Sequence, residues 1–229
     1  MKLVLHNYWR SSASHRVRIA LGLKQLAYEY VVVNIVKGAQ LDESYRAKNP
    51  SAQVPTLEII EDDGQRLAVA QSLPILEYLE DRFPAPSILP ADLYLRARAR
   101  GLAEIVNSGI QPHQNLTTTK KLESLGVATA PWVKSFIAEG MIAFARASAD
   151  VAGTFSVGDT PTIADCCLVP QLASARRFHV LDGAWDQSIP GVRDHLPKLM
   201  RLLEIESRCL AIKAFADAMP DQQPDAVKS

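Results

Sequence analysis

The chain has 229 residues, with 25 basic and 25 acidic side chains and 48% hydrophobic residues. That length suits one large domain or two small ones with ample core, and the balanced charge offers no polybasic footprint for nucleic acid or anionic lipid. No apolar run reaches the roughly 18 residues that a membrane span requires, so neither a membrane nor a nucleic acid is expected as a partner.

The N-terminal "MKLVLHNYW" lacks the apolar core and small-residue cleavage site of a secretion signal. Its "KLVLHNY" (2–8) has the pattern of a strand, and a helical pattern follows over 12–24. The β-branched "YEYVVVNI" (28–35) predicts a second strand, and a short helical piece around 41–47 precedes strands at "VPTLEII" (54–60) and "RLAVAQ" (66–71). In "SLPILEYLEDRF" (72–83), Leu73, Leu76, Tyr78, Leu79 and Phe83 recur at helical spacing. The order strand–helix–strand, then strand–strand–helix, describes a small α/β unit with a mixed sheet over 1–83.

The proline-rich "FPAPSILPAD" predicts a linker over 84–92. Beyond it no strand is expected, and 93–229 is expected to form an all-helical domain. Helical patterns occupy "LRARARGLAEIVNSGI" (95–110), 132–147, 162–178 and 196–218. Thr162 with Asp165 three residues on has capping-box spacing, with Asp in place of the usual Glu. Cys166, Cys167 and Cys209 lie in helical apolar surroundings and form neither a CxxC motif nor a disulfide framework, so a core role in a reducing cytoplasm is expected. His6, His179 and His195 have no metal-ligand spacing. The last ten residues, "PDQQPDAVKS", have the composition of a frayed tail.

On the first helix, Ala13, Val17, Ala20 and Leu21 form a stripe that Leu23 and Ile19 widen beyond half the circumference, as expected of a helix covered on two sides. Arg16 falls inside that arc and needs a partner; Arg18 falls on the open side and is expected in solvent. Ser11 and Ser12 stand at the helix start, either as an ordinary N-cap or as part of an anion site built from free amides and the helix dipole. A thiolate held there would have its pKa drawn down. Val54–Pro55 heads an extended run, either as a plain strand start or as a cis proline whose Val54 backbone faces a peptide-like ligand. Gln71 and Ser72 end a strand and cap a helix, a second helix start able to hold a carboxylate. His113, beside Pro112, is expected as a hydrogen-bonded wall residue.

Taken in order, "RSSASHRVRIAL", "NPSAQVPTLEI", "QSLPILEYLED", "GIQPHQNL" and "GDTPTIADCCLVPQLASARRF" closely resemble the zeta class of glutathione transferases, and within it the maleylacetoacetate and maleylpyruvate isomerases. The similarity runs from about residue 2 to about 224. It implies an α/β thioredoxin-like N-terminal domain, an all-α C-terminal domain, a homodimer and an active site in the interdomain cleft. It also implies glutathione as cofactor, with Ser11 donating to its sulfur and Ser12 close behind. Val54 would hold the tripeptide through its backbone, Gln71 and Ser72 the γ-glutamyl end, and Gln40 the glycyl side. Gln111 resembles the family's glutamine near the thiol, and Arg177 its arginine for the substrate carboxylate, with Arg10 as a second anchor. The implied reaction is cis–trans isomerisation of a small dicarboxylate, maleylacetoacetate or maleylpyruvate, in aromatic catabolism.

The family's usual "SSCSW" is "SSASH" here, with Ala13 for the cysteine and His15 for the tryptophan. Chemistry through a protein–glutathione disulfide is therefore not expected. The "SHR" of residues 14–16 resembles the maleylpyruvate branch, whereas Leu116 and Thr117 stand where that branch carries paired arginines. A conjugating transferase with an apolar acceptor pocket and a non-catalytic module are the competing readings.

Overall fold

A computed structural model describes residues 1–227, which form two compact units. One comprises Met1–Ile88 and the segment from Leu210 onward, and the other Leu89–Cys209. Among the described residues no helix is long and apolar enough to cross a membrane.

The first unit is built on a four-stranded mixed sheet. Its strands are β1 (Lys2–Asn7), β2 (Glu29–Val32), β3 (Thr56–Ile60) and β4 (Arg66–Ala70), in the order β2-β1-β3-β4. β1 pairs parallel with β2 and antiparallel with β3, and β3 pairs antiparallel with β4. Helix α1 (Ser12–Leu23) makes the crossover that a parallel β1–β2 pair requires. The short α2 (Glu43–Arg46) precedes β3, and α3 (Ser72–Arg82) follows β4. Leu5, Leu57, Ile59, Val17, Ile19, Leu21, Ile75, Leu76 and Leu79 make the core between sheet and helices.

Every residue of α1 from Ser14 to Leu21 is buried. Its cover comes from α3 and from a short helix near the C-terminus, so the two-sided burial expected from the sequence is achieved within one unit. Arg18 is consequently not in solvent. It is 2% exposed, and its guanidinium donates to the carbonyls of Tyr8, Trp9 and Ala218 and to Asn7 Oδ1. A helix enclosed all round has no open side.

In the second unit, α4 (Leu93–Asn107), α5 (Gln111–Gln114), α6 (Leu116–Ser124), α7 (Thr129–Ser148), α8 (Ile163–Arg177) and α9 (Val192–Leu210) form a helical bundle. The expected capping box starts α8: Asp165 accepts from the Thr162 amide at 2.8 Å and the Ser156 amide at 2.9 Å. Burial pushes the Asp165 carboxyl up despite those bonds. Cys166, Cys167 and Cys209 are free and buried, as expected of core residues.

Three expectations change. The helical pattern over 196–218 is two helices, because Ile212 adopts extended backbone (φ -91, ψ 125) between α9 and α10 (Lys213–Asp217). The second unit is not wholly helical, since β5 (Leu181–Asp182) and β6 (Ala184–Trp185) pair around Gly183, whose φ is 70. Residues 220–225 do not fray. A single 3-10 turn forms at Pro220–Gln222, Gln223 is buried, and Asp225 accepts from Tyr30 and Trp9. The "PDQQPDAVKS" composition conceals this because the bonds run to residues far away in the chain; its last two residues lie outside those described.

The first part of the proline-rich segment is bonded to the first unit. Lys24 Nζ donates to Glu80 Oε2 (2.7 Å), to the Phe83 carbonyl (2.6 Å) and to the Pro86 carbonyl (3.0 Å). Glu80 in turn accepts from the Ile88 amide at 3.0 Å. These bonds hold residues 83–88 on the first unit.

Candidate active site

Ser11 is the N-cap of α1, and its Oγ accepts from the Ser14 amide at 3.2 Å. The capping reading is therefore correct for Ser11, and it leaves the hydroxyl hydrogen free to be donated. One cap satisfies one amide. Ser12 and Ala13 keep theirs, and the first turn carries no acidic residue. Ser11 and Ser12 are half-buried, and Arg10 is exposed with its guanidinium 5.6 Å from the Trp9 ring centroid.

A second helix start lies in the same unit. Gln71 is the N-cap of α3 but makes no side-chain capping bond, and the first turn again has no acidic residue. Pro74 has no N–H, so the amides of Ser72 and Leu73 are the ones left available. Gln71 has φ 72 and ψ 132, a conformation that costs a non-glycine residue about 1–3 kcal/mol. Ser72 is not a cap; its buried Oγ accepts from Arg16 Nη1 at 3.0 Å. That bond supplies the partner Arg16 was expected to need.

Val54–Pro55 is a cis peptide, the second of the two sequence-based alternatives. Among the described residues no hydrogen bond engages the Val54 backbone. Gln40 lies in a single 3-10 turn (Ala39–Leu41), and its buried Oε1 has no partner among the described residues. His15 is buried, and its imidazole is held well below its ordinary pKa, first by burial and then by Arg18 and Arg16, so it stays neutral.

Gln111 and Arg177 belong to the second unit. Gln111 is the first residue of α5, followed by Pro112. His113 is half-buried, and its ring stacks on that of Phe136, 3.6 Å away and nearly parallel at 9°; among the described residues no side-chain hydrogen bond engages it. At the end of α8, Arg176 and Arg177 differ. Both are exposed; Arg176 makes a bidentate pair with buried Glu206, at 2.6 and 2.5 Å, and Arg177 lies 4.5 Å above the Phe178 ring.

Sequence reasoning missed the roles of Arg18 and Asp225. The breadth of the apolar arc on the first helix was a usable signal for Arg18, since a helix covered on two sides buries whatever faces either cover. No local signal marked Asp225.

A family model described as "Glutathione S-transferase, N-terminal domain" matches residues 10–82. The maleylacetoacetate isomerase of Rattus norvegicus is 41% identical over 226 residues, covering 98% of this chain and 95% of that protein. A maleylpyruvate isomerase from a Ralstonia species is 38% identical over 228 residues, covering 97% of this chain and 99% of that protein. Among solved structures, the maleylacetoacetate isomerase of Anaeromyxobacter dehalogenans 2CP-1, with bound GSH in the active site, is 45% identical, with a TM-score of 0.85, covering 99% of this chain and 98% of that one.

Proposed function

The chain belongs to the zeta class of glutathione transferases, and from that premise we infer that it is a glutathione-dependent cis–trans isomerase of a maleyl keto diacid, in the first place maleylacetoacetate. One observation carries the reading: the first unit presents two helix N-termini, at Ser12 and Ser72, whose amides have no partner among the described residues, together with a Val54 backbone unpaired among them. A γ-glutamyl tripeptide thiol offers a thiolate, a carboxylate and a peptide group, one for each.

Glutathione held there would supply a thiolate nucleophile, able to add reversibly to the cis double bond and so permit rotation about it. Ser11 donates its hydroxyl hydrogen to the sulfur, and the amides of Ser12 and Ala13 add the positive end of α1. The Val54 backbone holds the peptide group, Gln71 and Ser72 the γ-glutamyl end, and Gln40 the glycyl side. Gln111 is assigned a role at the sulfur. Arg177 and Arg10 anchor the substrate carboxylates and take up the negative charge that develops on the ketone oxygen, each contact contributing roughly 2–3 kcal/mol. One anchor must be loose enough to let its end of the substrate swing, which suits the exposed Arg10.

The protein is proposed to act as a homodimer, in keeping with Leu93 and Tyr94, which are 82% and 63% exposed. Its proposed compartment is the cytoplasm, which keeps free cysteines reduced. Its proposed place is in aromatic catabolism.

Ultraviolet decay of maleylacetoacetate and of maleylpyruvate, each with and without glutathione, tests the reading. The expected result is glutathione-dependent turnover of maleylacetoacetate with no loss of thiol. Turnover of maleylpyruvate alone would reassign the substrate. Thiol consumed in step with turnover of either would make the protein a conjugating transferase.

A further inference from the structure

The segment beyond α9 bonds to the loop that carries Arg10 and Ser11. Asp225 Oδ2 accepts from the Trp9 amide at 3.1 Å, and Oδ1 accepts from the Tyr30 hydroxyl at 2.5 Å. Arg18 Nη2 donates to the Trp9 carbonyl at 3.1 Å, and Nη1 to the Tyr8 carbonyl at 3.4 Å. Both backbone polar groups of Trp9 are thus held from outside the loop. The Asp225 arm is braced in turn, because Gln223 Nε2 donates to the carbonyls of Asp217 and Met219, both at 2.8 Å.

Ser11 needs such support. It follows Trp9 by two residues, in the break between β1 and α1, and among the described residues its amide donates to the Tyr8 carbonyl alone, at 3.0 Å. Burial does not immobilise the loop, since Arg10 is exposed and Ser11 is half-buried. A carboxylate suits the task because its two oxygens serve both donors at once. Burial and the bond to Asp225 push the Tyr30 phenol up, so it remains a donor.

We propose that Asp225 is a positioning residue for Ser11: it fixes the Trp9 amide and, through the turn from Tyr8 to Ser11, holds the Ser11 hydroxyl where a bound thiolate accepts from it. This rests on the assignment of Ser11 made above.

The test compares Ser11→Ala, Asp225→Ala, Asp225→Asn and Tyr30→Phe in the full chain. The readouts are thiolate absorbance of bound glutathione against pH, kcat and KM for glutathione-dependent turnover, and thermal melting. Asp225→Ala is expected to raise the thiolate midpoint by about half a unit and to lower kcat by about tenfold, since a displacement near 1 Å can cost up to about a hundredfold. Asp225→Asn is expected to restore both, because its amide oxygen can accept from Trp9 while its amino group donates to Tyr30. Tyr30→Phe is expected to shift the midpoint in the same direction by less, and it decides the matter should Asp225→Ala fail to fold. An Asp225→Ala protein that melts earlier with midpoint and kcat unmoved would overturn the proposal and leave Asp225 a structural brace. If Ser11→Ala itself leaves the midpoint unmoved, the Ser11 assignment fails and takes this proposal with it. If only Ser11→Ala moves it, this proposal alone fails.

Discussion

Arg16 donates through Nη1 to Ser72 Oγ at 3.0 Å, and the two residues are 1% and 3% exposed. The bond joins the second turn of α1 to the first residue of α3, and so couples the two helix N-termini to which the proposed function assigns the thiol and the γ-glutamyl carboxylate. Arg16→Lys keeps the charge but replaces a planar fork with a point donor in a buried space. It is expected to lower stability by about 2–4 kcal/mol and to weaken glutathione binding. Denaturant unfolding and calorimetric titration with glutathione check this; wild-type values in both would show that the coupling carries no weight.

Lys24 and Glu80 form the most enclosed ion pair of the first unit, with side chains 0% and 6% exposed. Burial works to raise the Glu80 carboxyl, but bonds from the Ile88 amide, Lys24 and Ser87 outweigh it and hold the carboxyl low. Lys24→Met strands that carboxylate and frees the carbonyls of Phe83 and Pro86, with an expected loss of about 3–5 kcal/mol. A Lys24→Met/Glu80→Leu double variant should recover much of it, and thermal melts of the two proteins distinguish these outcomes.

Glu58 governs acid stability. Burial favours its neutral form, yet hydrogen bonds from His6, Arg66 and Lys48 pull its pKa from 4.5 down to about 2. A carboxyl with a lowered folded pKa contributes stability above its unfolded value and loses it as pH falls toward its folded value, here between about 4.5 and 2. Glu58→Gln should flatten the stability curve in that window and cost roughly 1–2 kcal/mol at neutral pH. A variant whose acid limb matches the wild type would rule this out.

Arg176 and Arg177 are neighbours with opposite expectations. Arg176→Ala leaves buried Glu206 without its bidentate partner and should cost about 1–3 kcal/mol with turnover retained. Arg177→Ala should raise KM for the diacid about tenfold or more. Steady-state kinetics and melting of both proteins separate the roles, and equal effects on KM would remove Arg177 from the substrate site.

Much of this could be read along the chain. Alternating and helical periodicities located β1 to β4, α1, α3 and the long helices, because each signal lies within a few neighbouring residues. The capping box at Thr162 and Asp165 and the turn at Val54–Pro55 are local in the same way. The helix over Leu116–Ser124 went unread, since "LTTTKKLES" has no buried residue and so no apolar stripe to show. The β5–β6 hairpin is too short for a period.

By itself, then, the sequence determined the element order from β1 to α3, the mixed α/β character of the first unit, the largely helical character of the second, and the two serine-bearing helix starts. Only the tertiary structure decided that Arg18 lies inside, that Ser72 receives Arg16 rather than capping α3, and that the chain returns after α9 to grip Trp9 through Asp225. The reason is one of range. Periodicity and capping concern residues within about one helical turn, whereas the partner of a buried polar group is whatever the fold brings alongside it, and for Trp9 that is a residue 216 positions away.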